Sequence, residues 1–522
     1  MMAQGVLDFH YEDDGSARGL TALAGLPVYL DLVRASGLAD AIRDHVRVAG
    51  SQGWLDVQMV LALVFLNLAG GDCVADIARL EGDGGFVAVV ERIERELLSR
   101  REGRGLKQRW RRERGRTLPS PSSIAAWLER FHDAAGEAGR EVGKAFIPAQ
   151  TAAVGGLWQA NRALLGFLQR HRPATVATVD IDATLIETHK RQALYSYKGY
   201  KAYQPVNCWW AEHGAMLHSE FRDGNVPAGY EQLRVMKASL AGLPATVKKV
   251  LLRSDSAGYQ QDLLLYCGEG KDARFGVIEF AVSADVTEEF RGAVRQLTAR
   301  ERSAELAEAD WQPLYREVAG SKPGIVHREK TAQEWAEVGY VPNWAGYSRK
   351  QADYRFLAVR EPLLQRELPL GDAPELPFPT TEFGAKGTYK LFAIVTNRKL
   401  PGDRLIWWLR ERCGKSEEVH AVLKDDLAGG QMPSGLFGAN AAWWAIAILA
   451  HNLNAAMKRL VLGPAWVAKR MKALRFALIN LPGRVIRHAR RLIIRLSATG
   501  DALARLLAAR QTIQALAHGP AG

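Results

Sequence analysis

The spacing of apolar residues divides the chain into helical and strand-like tracts. From about residue 20 to 170 the pattern is helical. Leu23, Leu26, Leu30, Leu32 and Leu38 recur at broken helical spacing, and residues 57–68 and 74–80 form two apolar stretches joined by Ala69-Gly70-Gly71-Asp72. Helix, short Gly turn, helix is the pattern of a bundle and equally of a helix-turn-helix. Pro119-Ser120-Pro121-Ser122-Ser123 then supplies a cap for a helix starting near Ile124. At residue 174 the period changes to two: residues 174–182, Ala-Thr-Val-Ala-Thr-Val-Asp-Ile-Asp, alternate and are β-branched, predicting a strand that ends in carboxylates. Residues 207–211 and 215–221, separated by Glu212-His213-Gly214, predict a hairpin. A helix over 230–240, a strand over 247–253 that ends at Ser254-Asp255-Ser256, a helix over 260–265 and a strand over 275–282 follow.

Three antiparallel strands followed by strand-helix-strand is the order of an RNase H-like core. Residues from about 300 to 400 interrupt that order with aromatic strand-like stretches at 354–359 and 389–395 and a Pro-rich connection at 374–379. Helical patterning returns over 404–412, 416–427 and 439–460. The expected fold class is therefore α/β, an RNase H-like mixed-sheet core interrupted by a mostly β insertion, with helical N-terminal and C-terminal regions. The expected division is a helical DNA-binding region over 1–170, the core over 171–300 and 401–465, the insertion over 301–400, and a basic helical region over 466–522.

Composition adds the partner class. With 522 residues, 48% hydrophobic and 24% charged, the chain has the balance of a globular protein, and wholesale disorder is excluded. Its net charge is +12. Residues 100–116 hold nine Lys/Arg against Glu102 and Glu113, and residues 469–495 hold nine more with no acid, so two local patches outweigh the whole excess and the remainder is slightly acidic. Such a footprint points to a polyanion such as nucleic acid. In the first patch Arg104, Lys107, Arg109, Arg111 and Arg112 are candidate phosphate contacts, with Trp110 among them. In the second, Arg484, Arg487, Arg491 and Arg495 fall at i, i+3, i+7 and i+11, which predicts a single helical stripe. The longest apolar runs, 59–66 and 441–450, fall far short of the roughly 20 residues of a membrane-spanning helix. The first residues lack the basic start and apolar core of a signal peptide. Cys73, Cys208, Cys267 and Cys413 are far apart with no CxxC pair, so a cytoplasmic location, no membrane partner, and neither a zinc ribbon nor a disulfide framework are expected.

Two predicted strand ends present Asp182 and Asp255, and a later helix presents Glu417 and Glu418. Phosphodiester chemistry uses such a set, because two Mg²⁺ ions about 4 Å apart need hard oxygen ligands. His189, His218 and His420 have no zinc-like spacing and are expected to be satisfied or surface histidines. Trp311, Trp335 and Trp344 are expected to pack rather than to stack on a flipped base.

The blocks Asp-Ile-Asp182-Ala-Thr, Phe221-Arg-Asp-Gly-Asn225, Leu252-Arg-Ser-Asp255-Ser-Ala-Gly and Arg412-Cys-Gly-Lys-Ser-Glu417-Glu-Val-His-Ala-Val-Leu-Lys424 resemble the signature blocks of bacterial insertion-sequence DDE transposases, most closely the IS1380 group. Phe437-Gly-Ala-Asn440-Ala-Ala-Trp-Trp and His451-Asn452-Leu resemble that group as well. The resemblance implies a catalytic and metal-holding set of Asp182, Asp255 and Glu417, with Asp180 as a weaker alternative to Asp182, and DNA contacts by Lys424 and Arg412. Glu417 precedes Lys424 by the family's seven residues, near two helical turns. Related enzymes place an Arg four residues before the Glu and a Tyr before that; here Cys413 and Arg410 stand there and Arg412 lies one residue off. The implied cofactor is Mg²⁺, two ions, with Mn²⁺ as a substitute. The implied partners are double-stranded DNA, as element ends and target, and a second copy of the chain in a synaptic complex. The implied activity is cut-and-paste transposition; a metal nuclease without strand transfer and a catalytically silent DNA-binding protein are the alternatives.

Overall fold

The structure is a computed structural model that describes residues 19–519 except 49–52, 98–99, 142, 304–310, 320–324, 343, 345–353, 364–377, 383–386 and 498–499. Most of the Pro-rich connection at 374–379 lies outside the described residues. After a short strand β1 (Leu20–Thr21), the first third is helical: α1 (Val28–Ser36), α2 (Leu38–His45), α3 (Asp56–Ala69), α4 (Ile77–Gly82), α5 (Gly84–Leu97), α6 (Arg100–Lys107), α7 (Pro121–Glu129) and α8 (Ala152–His171). Its punctuation follows from residue chemistry. Gly70, at φ 96°, closes α3 in the left-handed conformation, and Ser120 caps α7 by accepting from the Ser123 amide, with Pro121 at the first helical position. α3 is apolar on all sides and buried along nearly its whole length, as expected of a core helix. The chain bends by 93° at the Gly turn that follows it. α4 has only six residues, with Ile77 and Leu80 buried, so this pair forms a corner of the bundle.

The core strands are β2 (Val176–Ala183), β6 (Val206–Trp210), β7 (Ala215–Glu220), β8 (Lys249–Ser254) and β9 (Glu279–Ala284), with α9 (Gln232–Gly242), α10 (Gln261–Gly268) and α11 (Glu288–Ser303) between and after the last three. Between β2 and β6 a small three-stranded flap is built from β3 (Ile186–Glu187), β4 (Leu194–Tyr195) and β5 (Lys201–Tyr203). β6 pairs antiparallel with β2 and with β7, whereas β8 is parallel to both β2 and β9. The spatial order β7-β6-β2-β8-β9 is that of an RNase H-like sheet, as the strand pattern predicted.

The interrupting segment contributes β10 (Gln312–Ala319), β11 (Val326–Val338), β12 (Arg355–Pro362), β13 (Thr380–Glu382) and β14 (Thr388–Thr396). These strands do not form a sheet of their own. β14 pairs antiparallel with β9, and the order β10-β11-β12-β14-β9 carries the central sheet on to ten strands. Trp311, Trp335 and Trp344 all pack: Trp311 lies under the Arg360 guanidinium, Trp335 is buried against Gly402, and Trp344 meets Tyr259 and Tyr354 edge-on.

Four further helices follow, α12 (Gly402–Arg410), α13 (Lys415–Ala421), α14 (Phe437–Ala456) and the short α15 (Pro464–Val467), then α16 (Met471–Leu474). α14 is buried along nearly its entire length and packs on α3, α7, α8 and β7, so the N-terminal helices and the sheet share one hydrophobic core. Polar side chains on α14 are used inside that core. Asn452 accepts from the Met216 amide and donates to the Asn161 side chain, and Asn440 donates to the Tyr203 hydroxyl.

The tail departs from expectation. Residues 484–495 are not a helix but a hairpin, β15 (Gly483–His488) and β16 (Arg491–Leu496), which adds β1 to make a three-stranded sheet before the final helix α17 (Gly500–Ala517). The arginines therefore do not share a stripe. Arg484 pairs with Arg495 and His488 with Arg491 in register, while Arg487 lies opposite Leu492 on the other face and meets Glu91 at 3.3 Å. The turn is Ala489-Arg490, both at positive φ (47° and 63°), the backbone of a two-residue type I′ turn without its usual Asn or Gly.

Candidate active site

The catalytic candidates sit where strand register puts them. β2 and β8 are parallel with Ile181 opposite Ser254, so Asp182, on β2, and Asp255, the residue just past β8, lie side by side at the same end of the sheet. The Arg412 guanidinium bridges them, with Nη2 at 3.7 Å from Asp182 and 3.8 Å from Asp255. Arg412 is 8% exposed, and its Nε has no hydrogen-bond partner. Burial pushes the Asp182 carboxyl up to about 6; Arg412 opposes that rise, while Asp255 and Glu417 add to it.

Glu417 belongs to the first turn of α13. Its Oε2 accepts from the Gly414 amide at 2.6 Å, so in this state the carboxylate caps its own helix. Among the described residues no group of three or more His, Cys, Asp or Glu side chains is gathered closely enough to hold a metal ion. The donor chemistry still fits a hard divalent cation. Three carboxylates act on one another electrostatically, and a buried cation already lies between two of them. α13 passes into a π-helical turn at Val422–Asp426 that carries Lys424, whose Nζ donates to the Leu185 carbonyl at 3.4 Å. Lys424 thus reaches the chain just beyond Asp182.

Asp180 has a different environment. Arg253 holds it bidentately, Nε to Oδ1 at 2.6 Å and Nη2 to Oδ2 at 2.9 Å, and both side chains are almost fully buried. Arg253 also donates to the Trp408 carbonyl and to Glu411, tying β2 and β8 to the end of α12.

Sequence reasoning missed the layer beneath the site. Asn207, opposite Asp182 on β6, contacts His420 Nε2 at 3.1 Å and accepts from the Ser219 hydroxyl at 2.6 Å, and Ser219 accepts from Trp444. His420 lies one turn beyond Glu417, and burial pushes its imidazole down to about 4, so it is neutral. The only sequence signal was His420 itself, on the same helical face as Glu417. His189 is exposed, and His218 is buried against Trp158. Within Phe221-Arg-Asp-Gly-Asn225 the roles are structural: Asp223 pairs with Arg140 at 2.5 Å, Asn225 donates to the Lys144 carbonyl, and a Cβ on Gly224 would meet the backbone oxygen of Ala202 at 2.5 Å.

The basic run at 100–116 divides in two. Arg109 is 5% exposed, stacks on Trp54 at 3.5 Å and donates to the Arg116 carbonyl, so its guanidinium is committed to the fold and is not available for the phosphate contact expected of it. Arg104, Lys107, Arg111 and Arg112 are exposed, as is Trp110. In the tail hairpin Arg487 and Arg491 are exposed and Arg484 is half-buried.

The RNase H-like sheet thus places two aspartates at the ends of adjacent strands with a glutamate helix beside them. A family model for the transposase DDE domain, group 1, matches residues 9–518, and the chain belongs to that family. Among solved structures it is similar to piggyBac transposase in a synaptic complex with hairpin DNA, with a TM-score of 0.38 and 8% identity over 87% of this chain and 79% of that chain. No curated protein sequence matches the chain. Among the described residues no single helix is long and apolar enough to cross a membrane.

Proposed function

We propose that the protein is a cut-and-paste DNA transposase of the IS1380 group, acting in the cytoplasm as a homodimer that pairs two element ends. The observation that carries this reading is the register that sets Asp182 and Asp255 side by side, within reach of one guanidinium and next to the Glu417 helix. Asp182, Asp255 and Glu417 would hold two Mg²⁺ ions, or Mn²⁺ in their place, which when bound supply Lewis-acid activation of a water and neutralise charge on the phosphate. To reach that arrangement Glu417 leaves its capping bond to Gly414 and Arg412 withdraws from between the aspartates. Arg412 and Lys424 then lie where cations face the phosphates of a bound strand. The first displacement adds water across a phosphodiester bond at the element end and leaves a 3′-hydroxyl. In the second, that hydroxyl attacks a target phosphodiester; one P–O bond forms as another breaks, and the proton passes to the leaving 3′-oxygen.

The test incubates purified protein with labelled element-end DNA, a target plasmid and Mg²⁺, comparing wild type with Asp255→Ala. Cleavage and joining are expected from wild type and neither from the variant. Undiminished cleavage by the variant would remove the site assignment, and end cleavage without joined product would leave a nuclease.

A further inference from the structure

The flap between β2 and β6 has a fixed base and an uncovered tip. Ile186, Ala193, Ala202 and Tyr203 are buried. The Gly224 amide donates to the Ala202 carbonyl, and Gln192 packs on Gly435, just beyond the Lys424 turn. The tip is a closed turn. The Ser196 amide and hydroxyl both donate to the Tyr200 carbonyl, the Gly199 amide donates to Ser196, and Gly199 takes the left-handed conformation at φ 81°. That turn holds Tyr195 and Tyr197 outward, 65% and 77% exposed. Lys198 lies 5.9 Å from the Tyr197 ring and Lys201 5.8 Å from the Tyr195 ring. Over residues 186–203 Lys190, Arg191, Lys198 and Lys201 face a single acid, Glu187.

Two exposed tyrosines on a rigid turn contribute nothing to the core, and rings interleaved with cations match the chemistry of a nucleic-acid strand, bases on π-faces and phosphates on ammonium groups. Position makes the match specific. The flap grows directly from the strand that carries Asp182, and Lys424 touches its stem at Leu185. We infer that the β3–β5 flap is a stacking platform for unpaired bases of the DNA strand at the catalytic edge, with Tyr195 and Tyr197 as the rings and Lys198 and Lys201 as phosphate contacts. This rests on the reading of the protein as an enzyme acting on DNA.

The test measures binding without divalent metal, so that it does not depend on catalysis. The probes are a terminal-repeat duplex carrying 2-aminopurine at the cleaved step and a single-stranded oligonucleotide of the same sequence. Tyr195→Ala/Tyr197→Ala should weaken single-strand binding by roughly tenfold or more, as expected for the loss of base stacking, and should abolish the fluorescence change on the duplex. Tyr195→Phe/Tyr197→Phe should restore both, and Lys198→Gln/Lys201→Gln should make the salt dependence shallower by about 0.7 per contact. Because Tyr195 and Tyr197 are exposed, the melting temperatures of the tyrosine variants should stay at the wild-type value. Alanine variants that bind and fluoresce like wild type would overturn the inference, as would phenylalanine variants as weak as the alanine ones. Wild-type protein that binds DNA through the flap but fails the cleavage comparison with Asp255→Ala would instead overturn the proposed reaction and leave the flap standing.

Discussion

Asp180 and Asp182 share one face of β2, and burial raises both carboxyls above the ordinary range, but their partners differ. Asp180 is neutralised in place by a buried guanidinium that is itself tied to α12. Asp182 has only a distant share of Arg412 and is pushed up to about 6 by burial. What differs is the consequence of removing each side chain, because only Asp180 is paired directly with a buried guanidinium. Removing Asp180 takes away the buried carboxylate that holds Arg253 and leaves it the Trp408 carbonyl and the exposed Glu411, so Asp180→Ala should cost about 3 kcal/mol in urea unfolding. A carboxylate whose folded value lies above its ordinary 3.8 binds more protons in the folded state than in the unfolded one. Its contribution therefore turns unfavourable as pH rises from about 4 through 6. Asp182→Asn in metal-free protein should thus be as stable as wild type near pH 4 and more stable at pH 7.5, by on the order of 2 kcal/mol. Equal melting temperatures for the two proteins at both pH values would contradict the buried environment assigned to Asp182. The choice between the two aspartates was only half legible in the sequence. Alternation put both on one face, but the partner that occupies Asp180, Arg253, lies 73 residues away.

At the scale of elements, legibility followed whether local patterning and tertiary context agreed. The β2, β6–β7 and β8 segments alternate or run apolar between clear turn residues, and the strands form within a few residues of where that pattern places them. The final hairpin escaped because its arginines also satisfy helical spacing and because Ala489-Arg490 lacks the Asn-Gly signature of its turn. The partner strand β1 and the helix α5, on which β15 packs, override that spacing. Likewise, nothing local announces that the mostly β insertion docks through β14 on β9 and extends the central sheet. The hairpin makes a prediction with a definite sign. Two non-glycine residues in left-handed backbone cost roughly 1–2 kcal/mol each, so Ala489→Asn/Arg490→Gly should raise the unfolding free energy by about 1–2 kcal/mol. In a helix the same pair would lower it, because Asn and Gly are poorer helix formers than Ala and Arg. The direction of the change in the urea midpoint decides between the two.

For the whole molecule, the question is how a chain with net charge +12 presents that charge to DNA. The first patch is not a loose basic loop. Glu113 is buried, accepts from Trp54 Nε1 at 2.5 Å and from the Ser123 hydroxyl at 2.7 Å, and Arg109 stacks on the Trp54 ring. This fixed centre leaves Arg111, Arg112 and Arg114 projecting into solvent around it. A rigid display of cations loses little conformational freedom on binding a phosphate backbone, and each phosphate neutralised releases counterions with a measurable salt exponent. Replacing Arg111, Arg112 and Arg114 by Gln should make the slope of log affinity against log salt for duplex DNA shallower by about 0.9 per lost contact, with an unchanged melting temperature. Arg109→Gln should do the reverse, keeping the slope and lowering the melting temperature, because it uncovers Trp54 and leaves the Arg116 carbonyl without its donor. If the triple variant kept the wild-type slope, the patch would not touch phosphate, and the tail hairpin and the flap would have to account for DNA affinity. If Arg109→Gln alone changed the slope, the division of the run into a buried support and an exposed contact set would be wrong.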